Sequence, residues 1–215
     1  MARSFIPCAA VLLGLVHCPL AHAQKNKGAD LKPPEPGYLF PPGGPAGRTV
    51  DVTLGGYDWT PDVDLFVLDA PAALTFAGDL GPVLVPPPPY WFGAKSTLNP
   101  LPLPRERAAR LTLPAGLPPG PVRWAVAGAS GAGLRTGVFW VGDTPEVLEN
   151  EAAKEPQTLP PLPATVNGRL SRIEEVDRYR FTTAKPGPVT CELFARRLGA
   201  NLNAAVVVRD STGRA

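Results

Sequence analysis

Few residues in this chain have the types that do covalent chemistry. Its two histidines, His17 and His22, both lie in the apolar N-terminal segment, which is expected to be removed. The exported remainder then has no imidazole for a Ser-His-Asp triad, a Cys-His pair or a histidine-containing zinc site. Of the three cysteines, Cys8 and Cys18 leave with the same segment. Cys191 remains alone, so no internal disulfide or thiolate zinc cluster is available. It sits in Val-Thr-Cys-Glu-Leu-Phe (189–194), which reads as a strand with a small buried hydrophobe. No glycine-rich phosphate loop ends in Lys-Ser or Lys-Thr.

Carboxylates are the other chemical resource. Asp62 and Asp64 are two apart and would share a face of a strand, but Asp62 precedes that strand on a turn containing Pro61, and the two read as solvated turn acids rather than a glycosidase pair. Glu174, Glu175 and Asp177, with Asp210 further on, form a candidate calcium set, because calcium takes six to eight hard oxygens. The alternative is a charged turn surface. Tyr90, Trp91 and Phe92 follow four prolines and offer either a sugar- or peptide-binding surface or a cover for one end of the core. Arg105, Arg107 and Arg110 are interrupted by Glu106, and the net charge is only +2. That pattern gives no pull toward nucleic acid.

The N-terminal segment sets the compartment. Arg3 precedes an apolar run from Phe5 to Leu20, and Ala21-His22-Ala23 supplies a small-x-small cleavage pattern. Residues 1–23 read as a secretory signal peptide, with the product secreted or held in the periplasm or cell envelope. The run is short of the about 20 residues of a comfortable spanning helix. No later stretch is expected to span a membrane.

The elements that would position these side chains are short strands. The 29 prolines and 22 glycines have no collagen period and separate brief apolar runs. Residues 24–36 read as a flexible lead. At 49–54, Val50, Val52 and Leu54 alternate with Thr49, Asp51 and Thr53, and Gly55-Gly56 is expected to end the strand. Further strands are expected at 64–68, 83–85, 109–113, 122–126 and 137–141, which together read as a small β-sandwich over 37–142. Residues 143–159 are acidic and contain proline, and read as a solvated linker. Strand signals resume at 164–166, 169–170, 177–181, 188–194 and 204–209. The 160–215 unit is small for an independent core, and its final turn at 210–213 leads into no further strand. The expectation is therefore an incomplete domain.

Several pieces together resemble the bacterial pre-peptidase C-terminal domain, in the form found in large secreted proteins of planctomycete-type bacteria. They are Leu-Pro-Ala-Thr-Val-Asn-Gly-Arg-Leu (162–170), Val-Asp-Arg-Tyr-Arg-Phe (176–181), Ala-Arg-Arg-Leu-Gly-Ala-Asn-Leu-Asn (195–203) and the strand-turn 206–213. The stretch from Phe40 through Gly-Gly-Pro-Ala-Gly-Arg-Thr to Gly56 is similar to the opening of the immunoglobulin-like domain that often precedes it, and Val141-Gly142-Asp143 is similar to its close. The resemblance implies an all-β chain: an immunoglobulin-like β-sandwich followed by a partial jelly-roll-like β-sandwich. It implies an accessory module without catalysis of its own, serving adhesion, spacing or substrate presentation to a protein or glycan partner. The alternatives are an accessory fragment of a secreted hydrolase and a calcium-stabilised adhesion module. Some family members bind calcium near the domain start. Here the usual Glu-Pro-Asn-Asp is replaced by Glu-Asn-Glu-Ala-Ala-Lys-Glu (149–155), with fewer oxygen ligands.

Overall fold

The computed structural model describes residues 32–87, 101–171 and 175–214. Among these residues the chain is all-β, with thirteen strands, one 3-10 turn and no α-helix. No helix among them is long and apolar enough to cross a membrane.

Two sheets account for residues 35–142. The first holds β1 (Glu35–Phe40), β3 (Thr49–Tyr57), β6 (Arg105–Thr112) and β5 (Ala73–Phe76), in the order β1-β3-β6-β5 and antiparallel throughout. The second holds β2 (Gly43–Pro45), β9 (Gly137–Gly142), β7 (Gly120–Gly128) and β4 (Asp64–Val67), in the order β2-β9-β7-β4. The short β8 (Gly131–Ala132) returns on β7. β2 runs parallel to β9, and the other pairings in this sheet are antiparallel.

Period-two alternation decides which faces meet. In β3 the side chains of Val52 and Leu54 are buried while Thr49 and Asp51 face solvent. In β6 Ala109 and Leu111 point inward and Arg110 outward. β7 contributes Val122, Trp124 and Val126, and β9 contributes Phe139 and Val141. These residues from both sheets join one apolar cluster, closed by Trp59, Val63 and Leu113 from the connections. Burying each large side chain contributes about 1.5–3 kcal/mol.

The structure departs from the sequence expectation at Gly55-Gly56, which do not end β3; the strand continues to Tyr57. The ring of Tyr38 lies on Gly55 and the indole of Trp59 lies on Gly56, so closely that a Cβ at either glycine would strike the ring. Glycine in a strand marks such a close approach. β5 adds a strand beyond those the sequence suggests: Leu74 and Phe76 alternate with Ala73 and Thr75, but over only four residues. Residues 83–85 form no strand: Val83, Leu84 and Val85 are exposed, and the backbone is tied at Leu84 by one bond from Leu103 N, at 2.8 Å.

Residues 143–159 also hold more structure than a linker reading implies. β10 (Glu146–Leu148) pairs in parallel with β12 (Thr165–Asn167), and β11 (Gln157–Thr158) pairs in parallel with β13 (Tyr179–Arg180). The Gln157 amide spans the intervening turn: its Nε2 donates to Leu148 O at 2.9 Å and its Oε1 accepts Asn150 N at 2.8 Å. Asn167 is buried, and its Nδ2 donates to Glu146 Oε2 at 2.8 Å. These side-chain bonds are invisible to a search for alternation.

The strands expected at 188–194 and 204–209 are absent. Val189, Leu193, Val206, Val207 and Val208 are exposed instead, and Cys191 is exposed rather than a buried hydrophobe. A strand needs a ladder partner, and none of the described strands pairs with either segment. Val207→Ala should therefore shift the unfolding free energy by no more than about 0.5 kcal/mol. A chemical denaturation curve displaced by 2 kcal/mol would mean that the valine is buried. Contact with the rest of the chain comes instead through 194–199. The Phe194 ring packs on Trp140 at 4.6 Å between centroids, and the 3-10 turn Arg196–Leu198 lies against β9.

Candidate functional site

Among the described residues, a group of titratable side chains gathers around the ends of β10, β12 and β13. Glu149 directly follows β10, and its backbone N–H donates to Asn167 O at 2.9 Å, which aims its carboxylate across the pair. Glu149 Oε1 accepts the Tyr179 hydroxyl at 3.0 Å, and Oε2 accepts the Arg169 backbone N–H at 3.1 Å. Gly168 leaves room for this carboxylate: a Cβ there would lie 2.5 Å from Glu149 Oε2. Glu151 pairs with Arg169 Nε at 3.5 Å. Glu175 Oε2 accepts Ser171 N at 2.5 Å and Ser171 Oγ at 3.3 Å.

Asp177 completes the group and bonds to Glu149. Partial burial, then the charge of Glu149 and the bond to it, push the Asp177 carboxyl up to about 6, with Glu175 and Glu151 adding to the effect. Burial and the bond to Glu149 likewise push the Tyr179 phenol well above its usual range. Of these four carboxylates only Glu151 pairs with the Arg169 guanidinium, and the neighbouring acids favour the protonated form of Asp177.

That raised value has a direct consequence for stability. An acid whose folded value exceeds its unfolded one binds its proton more tightly in the folded state. Its stabilising effect is full below about pH 4 and is lost as the pH rises through about 6. Asp62, Asp69 and Asp210 are lowered by their hydrogen bonds and act below this window. Melting temperature should therefore fall between pH 4.5 and about 6.5, and Asp177→Asn should flatten the slope and raise the neutral-pH value. An unchanged slope in the variant would remove Asp177 as its source.

The residues singled out from sequence are dispersed. The structure brings Glu175 and Asp177 together; Glu174 lies outside the described residues. Asp210 serves its own turn: its Oδ1 accepts Thr212 N at 2.8 Å and Arg214 N at 3.0 Å. Among the described residues, no group of three or more His, Cys, Asp or Glu side chains is arranged to hold a metal ion. Glu149 and Glu151, which lie in the segment whose composition suggests a linker, supply half of the carboxylate group. Tyr90, Trp91 and Phe92 lie outside the described residues. Asp62 caps a turn, accepting Ala129 N at 2.7 Å. The arginines of β6 are engaged within the fold. Arg105 donates to Gly81 O and Trp59 O, both at 2.8 Å, Arg107 lies over Phe76, and Arg110 pairs with Asp51 at 3.2 Å.

No family model, curated protein or solved structure matches the chain.

Proposed function

We propose that this chain is a non-catalytic structural or binding module of a secreted or cell-envelope protein, exported by the signal in residues 1–23. The observation that carries this reading is the pairing order of the two sheets. The order β1-β3-β6-β5 facing β2-β9-β7-β4, with the chain crossing between sheets after β1, fits an immunoglobulin-like β-sandwich. A spacer or binding role is carried over to this fold by analogy, since one fold hosts many functions. Residues 160–215 are read as a partial pre-peptidase C-terminal-like unit, joined to the first through 143–159. The parallel pairs β10–β12 and β11–β13 support a close association of 143–159 with that unit.

A calcium-stabilised adhesion module is the second reading, favoured by the convergence of Glu149, Glu151, Glu175 and Asp177. Arg169, Tyr179 and Ser171 already occupy much of their oxygen surface. Millimolar calcium, compared with chelator, is therefore expected to leave the melting temperature unchanged. A native-state ligand raises stability by mass action, so a rise of several degrees that Asp177→Asn abolishes would establish the calcium reading. The binding role is tested by probing glycan and peptide arrays, where a specific hit should disappear in Trp91→Ala. Specific cleavage of an arrayed peptide or glycan by the purified chain would overturn the non-catalytic reading.

A further inference from the structure

Between β5 and β6 the chain leaves the first sheet in two apolar arms, 80–87 and 101–104. Their base is fastened to the fold. Gly81 N donates to Glu106 O and Arg105 Nε donates to Gly81 O, both at 2.8 Å, and Leu80 packs on the apolar cluster. Beyond that base the arms are tied by the bond from Leu103 N to Leu84 O. Val83, Leu84 and Val85 are 54–59% exposed on one arm, and Leu101 is 85% exposed on the other. A half-buried strand hides every second side chain, whereas these consecutive ones all face water. Neither arm contains a charged residue, and Pro82, Pro86, Pro87, Pro102 and Pro104 carry no backbone N–H. By contrast, the exposed Val206, Val207 and Val208 run directly into Arg209 and Asp210.

We propose that these arms form a docking surface for a phospholipid bilayer, with Val83, Leu84, Val85, Leu101 and Leu103 entering the boundary between headgroups and acyl chains. The lack of charge removes the largest cost of that transfer. The backbone lowers the next one. An N–H without a partner is costly in hydrocarbon, but the prolines bring none, and those of Gly81 and Leu103 are already bonded. The gain scales with the apolar area buried, and none of these five side chains belongs to the apolar cluster of the core. A protein strand laid along an arm needs a ladder of N–H donors, which the prolines interrupt. Because the base is bonded to β6, docking requires no opening of the sheet. Lipid docking is separate from the glycan or peptide binding tested above, and either can fail without the other.

The test is flotation with neutral phosphatidylcholine vesicles. It uses the exported form, from residue 24 onward, so that the apolar N-terminal run cannot carry the chain into lipid. The protein should float with the vesicles to the same extent in low and high salt, because no ion pair is involved. Leu101→Asp should weaken binding by at least about tenfold, and Val83→Asp should act alike. Leu134→Asp is the control. That leucine is 90% exposed and lies between β8 and β9, so its loss should leave binding unchanged. All three positions are exposed, and the variants should keep the melting temperature of the parent. Failure to float would overturn the proposal and leave the proline-rich arms to a protein groove. Binding that high salt abolishes, indifference to Leu101→Asp, or an equal loss in Leu134→Asp would each overturn it as well.

Discussion

Trp59→Ala is expected to remove about 4 kcal/mol of stability, enough to consume much of a typical domain's margin. The residue is 1% exposed and holds several parts of the fold at once. Its indole lies on Gly56 and meets the Phe76 ring edge-on at 5.9 Å. Its Nε1 donates to Glu35 O, which fastens the start of β1. Its own carbonyl accepts Arg105 Nη1 at 2.8 Å, and the same guanidinium reaches Gly81 O. Alanine keeps only the last of these links and leaves a cavity in the cluster. Urea denaturation measures the loss directly. Trp59→Phe separates the contributions: it keeps an aromatic ring and forfeits the bond to Glu35 O, so its cost should be less than half as large. A loss below 1 kcal/mol in the alanine variant would mean that the cluster does not depend on this ring.

Gly137→Ala is expected to destabilise by about 3 kcal/mol, although it adds a single methyl group to a strand and improves β propensity. The added Cβ would fall within the indole of Trp124, which is fully buried and cannot turn aside. Space made at position 124 should relieve the clash. In a background of Trp124→Val, the same Gly137→Ala change should cost less than 1 kcal/mol, giving a coupling of about 2 kcal/mol. Additive losses in the double variant would show that the glycine is needed for its backbone rather than for the ring above it.

The strands of the first two sheets were legible where one face is dry and the other wet. Val52 and Leu54 against Thr49 and Asp51, or Val122, Trp124 and Val126 in alternation, are read directly from residue type. The sequence signal failed where the determinant lies elsewhere in the chain. Gly55-Gly56 looks like a stop until Tyr38 and Trp59 are seen to cover it. Residues 204–208 have the composition of a strand, but composition cannot supply a pairing partner, and these side chains are exposed. The opposite error fell on 143–159, where polar residues suggested solvent while Gln157 and Asn167 were making specific bonds. The carboxylate group was half visible. Glu175 and Asp177 are close in sequence, whereas Glu149 and Glu151 reach them through parallel strand pairs whose register no local pattern encodes.

The way β2 joins its sheet also determines how the fold answers mechanical force. After β1 the chain crosses from one sheet to the other, and β2 lies parallel to β9, with Trp140 N donating to Pro42 O at 2.8 Å. Tension applied through residue 32 and residue 143 pulls the beginning of β2 one way and the end of β9 the other. In parallel strands loaded at opposite ends, the ladder bonds lie across the pull and share it, so they must slip together rather than open one after another. The antiparallel β1–β3 pair is attached to the same pulled segment and lies on the other sheet, so extension must detach the segment from both layers. A chain folded this way passes tension from its N-terminal side to its C-terminal side through a short bonded patch, while the apolar core behind that patch stays unloaded until it yields.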